Sequence, residues 1–127
     1  MILSLTDLSG ESLQSQIARQ IRAKVLAGEL GADDALPSIR GLARDQHISV
    51  ITVQRAYEAL ERDGLIHSRR GKGFFVSELS KETKKEMAKG RLAEKLAPQL
   101  KAAVAEGLSA DDISDVLSSL MNDRKGN

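Results

Sequence analysis

Residues 36–66, LPSIRGLARDQHISVITVQRAYEALERDGLI, carry the pattern on which the fold turns. Ser38 stands where a helix N-cap belongs, because its short hydroxyl can accept from an N–H of the first turn that has no partner inside the helix. Ile39, Leu42 and Ala43 follow at i, i+3 and i+4, which predicts a helix of about two turns stopping near Gln46-His47. Ser49 is a second N-cap. It launches a helix whose inward stripe is Val53, Ala56, Tyr57 and Leu60 and which ends at Asp63-Gly64. Two short helices across a short turn are the pattern of a helix-turn-helix.

Upstream, Leu13, Ile17, Ile21 and Val25 recur every four residues and predict a helix from about Ser12 to Ala27. Gly28 fits a left-handed stop with Leu30 folding back onto the last turn, and Gly31-Ala32-Asp33-Asp34 reads as a loop. Downstream, Leu65–Ser68 and Phe74–Ser77 read as two strands around the tip Arg69-Arg70-Gly71-Lys72-Gly73, a β-hairpin with a basic turn. Three helices and then a hairpin is the winged-helix order. Residues 1–79 are therefore expected to form one winged helix-turn-helix domain.

Residues 80–127 differ in character. Lys81–Glu86 is charged on all sides, an exposed helix start or a linker. Leu92, Leu96, Leu100 and Val104 form another four-residue stripe, with Pro98 inside it predicting either a kink or a break. Gly107-Leu108 reads as a stop, and Ser109 caps a last helix with Asp111 and Asp112 in its first turn. The stripe of that helix is Ile113, Val116, Leu117, Leu120 and Met121, and the polar run from Asn122 to Asn127 is expected to fray. Two such helices bury too little surface to hold themselves. Residues 80–127 are thus expected to be a helical dimerisation tail, with Leu92, Leu96, Leu100, Val104, Ile113, Val116, Leu117 and Leu120 in its seam; folding back on the winged helix is the other way to cover them. The fold class is mainly α.

Composition narrows the chemistry. The 127 residues are 41% apolar and 29% charged, a globular profile. No stretch approaches the roughly 18 apolar residues of a membrane span, and the N-terminus has no basic segment of a signal peptide, so a cytoplasmic protein is expected. Cysteine is absent, which removes disulfides, thiolate metal sites and thiol nucleophiles. His47 and His67 sit in no catalytic or ligating pattern, so neither an enzyme nor a metal or cofactor is expected. The net charge of +1 hides a local knot: Arg69, Arg70 and Lys72 crowd the hairpin tip while residues 1–36 carry three basic against five acidic side chains. That suits a small anionic contact, or a solvated tip.

In a helix-turn-helix the second helix offers its N-terminal residues to base edges in the major groove. Here these are Ser49, Val50, Ile51 and Thr52, with Gln54 and Arg55 one turn on. With the stripe assigned inward, Val50 and Ile51 either face thymine methyls or tuck under the neighbouring helix, and Gln54 can pair with adenine. Arg40 is placed to hold a backbone phosphate. His67 reads as a strand residue with a satisfied ring, and Arg44 and Arg62 as surface charges.

Residues 12–76 resemble the DNA-binding domain of GntR-family bacterial regulators. The resemblance rests on Leu36-Pro37-Ser38-Ile39-Arg40-x-Leu42-Ala43, on Thr52-Val53-x-x-Ala56-Tyr57-x-x-Leu60-x-x-x-Gly64-Leu65-Ile66, and on Gly71-x-Gly73-x-Phe75-Val76. It implies a homodimer on a palindromic operator, acting as a repressor. It also implies a DNA-binding set of Ser38, Arg40, Ser49, Val50, Ile51, Thr52, Gln54, Arg55, Arg69, Arg70, Gly71 and Lys72. Only 48 residues follow Leu79, which resembles the YtrA subfamily with its short two-helix tail. The large effector domains of other members are not expected, and no ligand for a small-molecule pocket is implied. The rival reading is a winged helix that binds an acidic protein rather than DNA.

Overall fold

A computed structural model of the chain describes residues 1–125. The element order is α1 (Leu13–Leu26), α2 (Ile39–Gln46), α3 (Val50–Arg62), β1 (Ile66–Arg69), β2 (Gly73–Val76), α4 (Lys81–Ala105) and α5 (Ala110–Lys125). The chain divides into two compact units, residues 1–85 and the residues from Glu86 onward, and α4 crosses the boundary.

The first unit is built on the apolar stripes. Ile17, Ile21 and Val25 of α1 and Val53, Ala56, Tyr57 and Leu60 of α3 are completely buried, closed off by Leu42, Leu65, Ile66 and Val76. Burying each large aliphatic side chain contributes about 1.5–3 kcal/mol, enough to hold short helices that would not form alone. Arg22 crosses from α1 to the end of α3, where its guanidinium meets the Asp63 carboxylate at 2.9 Å. The lead-in is tied down through its backbone: Leu3 is buried, and the buried Gln16 amide accepts from the Thr6 N–H at 3.0 Å and donates to the Thr6 carbonyl at 2.8 Å.

The serine caps stand as the sequence predicts. Ser12, Ser38 and Ser49 have extended backbones, and their hydroxyls accept from the N–H groups of Ser15, Gly41 and Ile51. α1 stops at Gly28 (φ 83°), with the Leu30 N–H on the Lys24 carbonyl at 3.1 Å. Two predictions shift. The strands slide by one residue, because a turn of Arg70-Gly71-Lys72 suffices and Gly73 joins β2 opposite Arg69. Residues 33–36 are more than a loop: the Asp33 N–H donates to the Val76 carbonyl at 2.8 Å and the Leu36 N–H to the Phe74 carbonyl at 2.9 Å. Ala35 forms a bridge to Phe75, so β2 has a backbone neighbour on both sides.

In the second unit α4 is a single helix through Pro98. The proline removes one N–H from the ladder, which usually costs about 3 kcal/mol, but on an exposed helix water can take the freed carbonyl. The helix ends at Gly107 (φ 97°), where the Leu108 N–H reaches the Ala103 carbonyl at 3.1 Å. Ser109 and Asp112 then cap each other: the Asp112 N–H donates to the Ser109 hydroxyl, and the Ser109 N–H donates to the Asp112 carboxylate at 2.9 Å. The backbone N–H of Ser109, with its hydroxyl, holds the Asp112 carboxyl below its ordinary range. The fraying expected from Asn122 does not occur before Lys125, where α5 ends; Gly126 and Asn127 lie outside the described residues.

Candidate nucleic-acid interface

The start of α3 and the outer side of α2 expose an apolar pair, Val50 and Ile51, beside the basic residues Arg40, Arg44 and Arg55. Ser49 caps α3 and uses its hydroxyl on the Ile51 N–H at 3.1 Å, and the burial of Val53, Ala56, Tyr57 and Leu60 fixes which side faces out. Val50 and Ile51 are 43% and 52% exposed, so neither tucks under its neighbour. Gln54 and Arg55 are exposed one turn on, and Thr52 is half-buried. The Gln54 amide nitrogen donates to the Glu58 carboxylate at 3.1 Å, which leaves its amide oxygen and a second N–H for another partner.

Arg40 is exposed on the first turn of α2, while the Ser38 hydroxyl is occupied in capping that helix. An open groove at the helix-turn-helix corner is lined by Arg40, Ala43, Arg44, His47, Ile48 and Val50. Sequence reasoning left Arg44 as an ordinary surface charge. Its i, i+4 spacing from Arg40 is the signal that places both guanidinium groups on one face. His47 closes α2 in the left-handed conformation (φ 56°), which turns the chain sharply into α3.

The wing has two faces. Towards the core, Phe74 meets the Tyr57 ring edge-on at 5.1 Å. On the other face His67 stacks on Phe75 and bonds the Ser77 hydroxyl through Nδ1 at 3.3 Å, a satisfied strand histidine as expected. Arg69 also lies on this face. Its guanidinium sits 4.3 Å above the Phe75 ring and reaches the Asp33 carboxylate at 2.6 Å. Arg70 and Lys72 lie exposed in the turn, and Gly71 (φ 75°) supplies the backbone reversal.

The seam residues expected in the tail are mostly exposed. Leu92, Leu100, Val104, Val116, Leu117 and Leu120 are all open to solvent, and Leu96 and Ile113 are half-buried. Leu100, Val104, Ala110, Ile113, Ser114 and Leu117 line a shallow apolar groove where α4 turns into α5.

Residues 13–76, half of the chain, match the family described as bacterial regulatory proteins, gntR family. The chain belongs to the GntR family. It is 30% identical over 125 residues to the HTH-type transcriptional repressor YtrA of Bacillus subtilis, a match covering 98% of this chain and 96% of that protein. YtrA from Sulfolobus acidocaldarius, a GntR-family transcription factor of known structure, superposes with a TM-score of 0.60 at 30% identity over 76% of this chain and 99% of that one. The AraR DNA-binding domain in complex with operator ORX1 superposes with a TM-score of 0.52 at 26% identity, over 59% of this chain and 93% of that one. This GntR-family chain is a winged-helix transcriptional regulator with a DNA-binding domain, and its function is regulatory rather than enzymatic. No helix among the described residues is long and apolar enough to cross a membrane.

Proposed function

We propose that the chain represses transcription in the cytoplasm by binding a palindromic operator as a homodimer. Residues 1–79 grip the DNA and residues 80–127 pair the subunits. The observation that carries this reading is the exposed start of α3, where Val50, Ile51, Gln54 and Arg55 stand clear of the core beside the groove of Arg40 and Arg44. An apolar pair left in water at the tip of a recognition helix suits thymine methyls, and Gln54 suits adenine. Arg40 and Arg44 on one side and Arg70 and Lys72 on the other suit phosphates. Ser38 and Ser49 serve as helix caps, each fixing the first turn of its own helix. The names of the relatives support repression and operator binding. An acidic protein partner is not favoured.

Selection from a randomised duplex library tests the reading. It should return a two-fold symmetric consensus with half-sites about one helical turn, roughly 34 Å, apart. Enrichment of an unsymmetrical site, or none, overturns it. Gln54→Ala should relax preference at one base pair in each half-site, by about 1–3 kcal/mol of discrimination, while nonspecific affinity stays near the parent's. If the variant returns the parent consensus, Gln54 reads no base.

The wing prediction is electrostatic. Arg70→Ala with Lys72→Ala should weaken binding to all duplexes alike, and the salt dependence of log affinity should fall by about one unit per lost phosphate contact in each subunit. An unchanged slope means that the wing tip touches no phosphate.

A further inference from the structure

Arg69 differs from the other two basic residues of the wing. Arg70 and Lys72 lie in the turn, whereas Arg69 is the last residue of β1, paired with Gly73. Because Gly73 has no side chain, nothing stands between Arg69 and the diagonal Phe75, and the guanidinium lies across that ring. From there it reaches Asp33, 36 residues away in sequence, on the far side of β2. Asp33 is fixed there by its backbone: it sits in the left-handed region (φ 65°), which aspartate tolerates better than most residues, and its N–H is bonded to the Val76 carbonyl. The side chain of Arg69 therefore spans all three backbone segments of the wing sheet, from β1 over β2 to residues 33–36. His67 stacks against the same Phe75 ring, so the whole outer face forms one layer.

We propose that Asp33 and Arg69 are a positioning pair: a strap that sets the angle of the wing so that Arg70 and Lys72 meet the phosphate backbone, without either member of the pair being spent on DNA. This rests on the proposed operator binding and adds a residue, Asp33, that belongs to neither the recognition helix nor the hairpin. An acidic side chain near the wing of a DNA-binding protein would otherwise only repel the phosphates. Here its charge is neutralised by the arginine it holds.

The competing role is the one the sequence suggests, with Arg69 as a phosphate ligand and Asp33 as its competitor. The two roles predict opposite signs. In the full-length chain, Asp33→Asn keeps a residue at ease in the left-handed region and removes only the charge. If the strap positions the wing, Asp33→Asn should weaken binding to a duplex carrying the selected operator by about two- to fivefold, the scale of an exposed ion pair. Arg69→Gln, which also removes the cation–π contact, should weaken it by about three- to tenfold. Because a loosened wing still reaches the phosphates and loses only its prior ordering, the slope of log affinity against log salt should stay at the parent value in both, and the double variant should bind no worse than Arg69→Gln alone.

Tighter binding and a steeper slope in Asp33→Asn, or a slope reduced by about one unit per subunit in Arg69→Gln, would overturn the proposal, since Arg69 would then be a phosphate ligand. Affinity unchanged in both single variants overturns it too. Thermal unfolding of each variant shows whether a loss comes from unfolding; a loss accompanied by a collapsed domain counts against positioning. Arg70→Ala with Lys72→Ala separates this from the larger reading. If that variant lowers the slope but Asp33→Asn does not lower affinity, only the strap fails. If it leaves the slope unchanged, the wing tip touches no phosphate and the strap fails with it, while operator binding stands or falls on the selected consensus.

Discussion

Leu117→Asp combined with Leu120→Asp is expected to turn the proposed dimer into monomers at micromolar concentration. Both leucines lie on the exposed stripe of α5, at 42% and 60% exposure, and no residue of α4 or of the described part of α5 is buried. Most helical stability in proteins comes from packing an apolar face rather than from propensity, and α4, which buries no side chain, also carries a proline. Their apolar stripes call for a partner surface, and a second copy offers the same stripes in return, as a two-fold interface requires. Putting two aspartates into that seam places uncompensated charge where leucine was to be buried, at several kcal/mol for each buried charge. Against the roughly 8 kcal/mol of a micromolar complex, that is decisive. Sedimentation equilibrium reads the result directly. Ser119→Asp, on the opposite side of the same helix, should leave the dimer intact. If the double variant remains dimeric, the seam lies elsewhere and the apolar stripe of α5 has another use. Operator binding should fall with the dimer, because two half-sites held by one particle become two separate encounters.

The parts of this protein that were legible in its sequence are those whose cause is local. Ser12, Ser38, Ser49 and Ser109 mark helix starts because a cap needs only its own hydroxyl and the next turn. Val53, Ala56, Tyr57 and Leu60 identify the buried side of α3 by spacing alone, and the exposed face that carries the site follows from it. What escaped the sequence is held together over distance. The pairing of residues 33–36 with β2 is made by backbone N–H and carbonyl groups, which leave no side-chain pattern, so the segment reads as loop. Arg69 reads as one of three wing-tip cations because its partner Asp33 is remote in sequence. The one-residue slide of the strands has the same origin: the alternation of Ile66, Ser68, Phe74 and Val76 on the core face fixes the register, and the glycines at 71 and 73 permit more than one turn. At Pro98 the residue-level rule allowed a break or a kink, and the surrounding alanine- and leucine-rich helix carries on. The groove around Arg44 escaped for a different reason. The i, i+4 spacing puts Arg44 on one face with Arg40, but only the fold brings His47, Ile48 and Val50 beside them to make a groove.

Tyr57→Ala should cost about 3–5 kcal/mol of stability, most of what a small domain has to spare. Tyr57 is completely buried, and three elements meet on it. Its ring projects from α3 into the core, lies edge-on to Phe74 of the wing with centroids 5.1 Å apart, and its hydroxyl donates to the Pro37 carbonyl at 2.7 Å, immediately before the cap of α2. Burial pushes the hydroxyl above its ordinary titration range, which favours the protonated form that donates this bond. Truncation to alanine leaves a cavity between α3, the wing and α2, the three elements that carry the proposed DNA surface. Tyr57→Phe separates the hydrogen bond from the ring. It keeps the packing and removes the donor, leaving the Pro37 carbonyl short of a partner, and should cost about 1–3 kcal/mol. Urea unfolding followed by far-UV circular dichroism gives both numbers. The phenylalanine variant should fold, and its operator affinity should fall further than its stability under binding conditions accounts for, because α2 loses its tether to α3 just ahead of Arg40. If Tyr57→Phe matches the parent in both stability and affinity, the hydroxyl contributes nothing net, and the ring alone sets the spacing of the two helices.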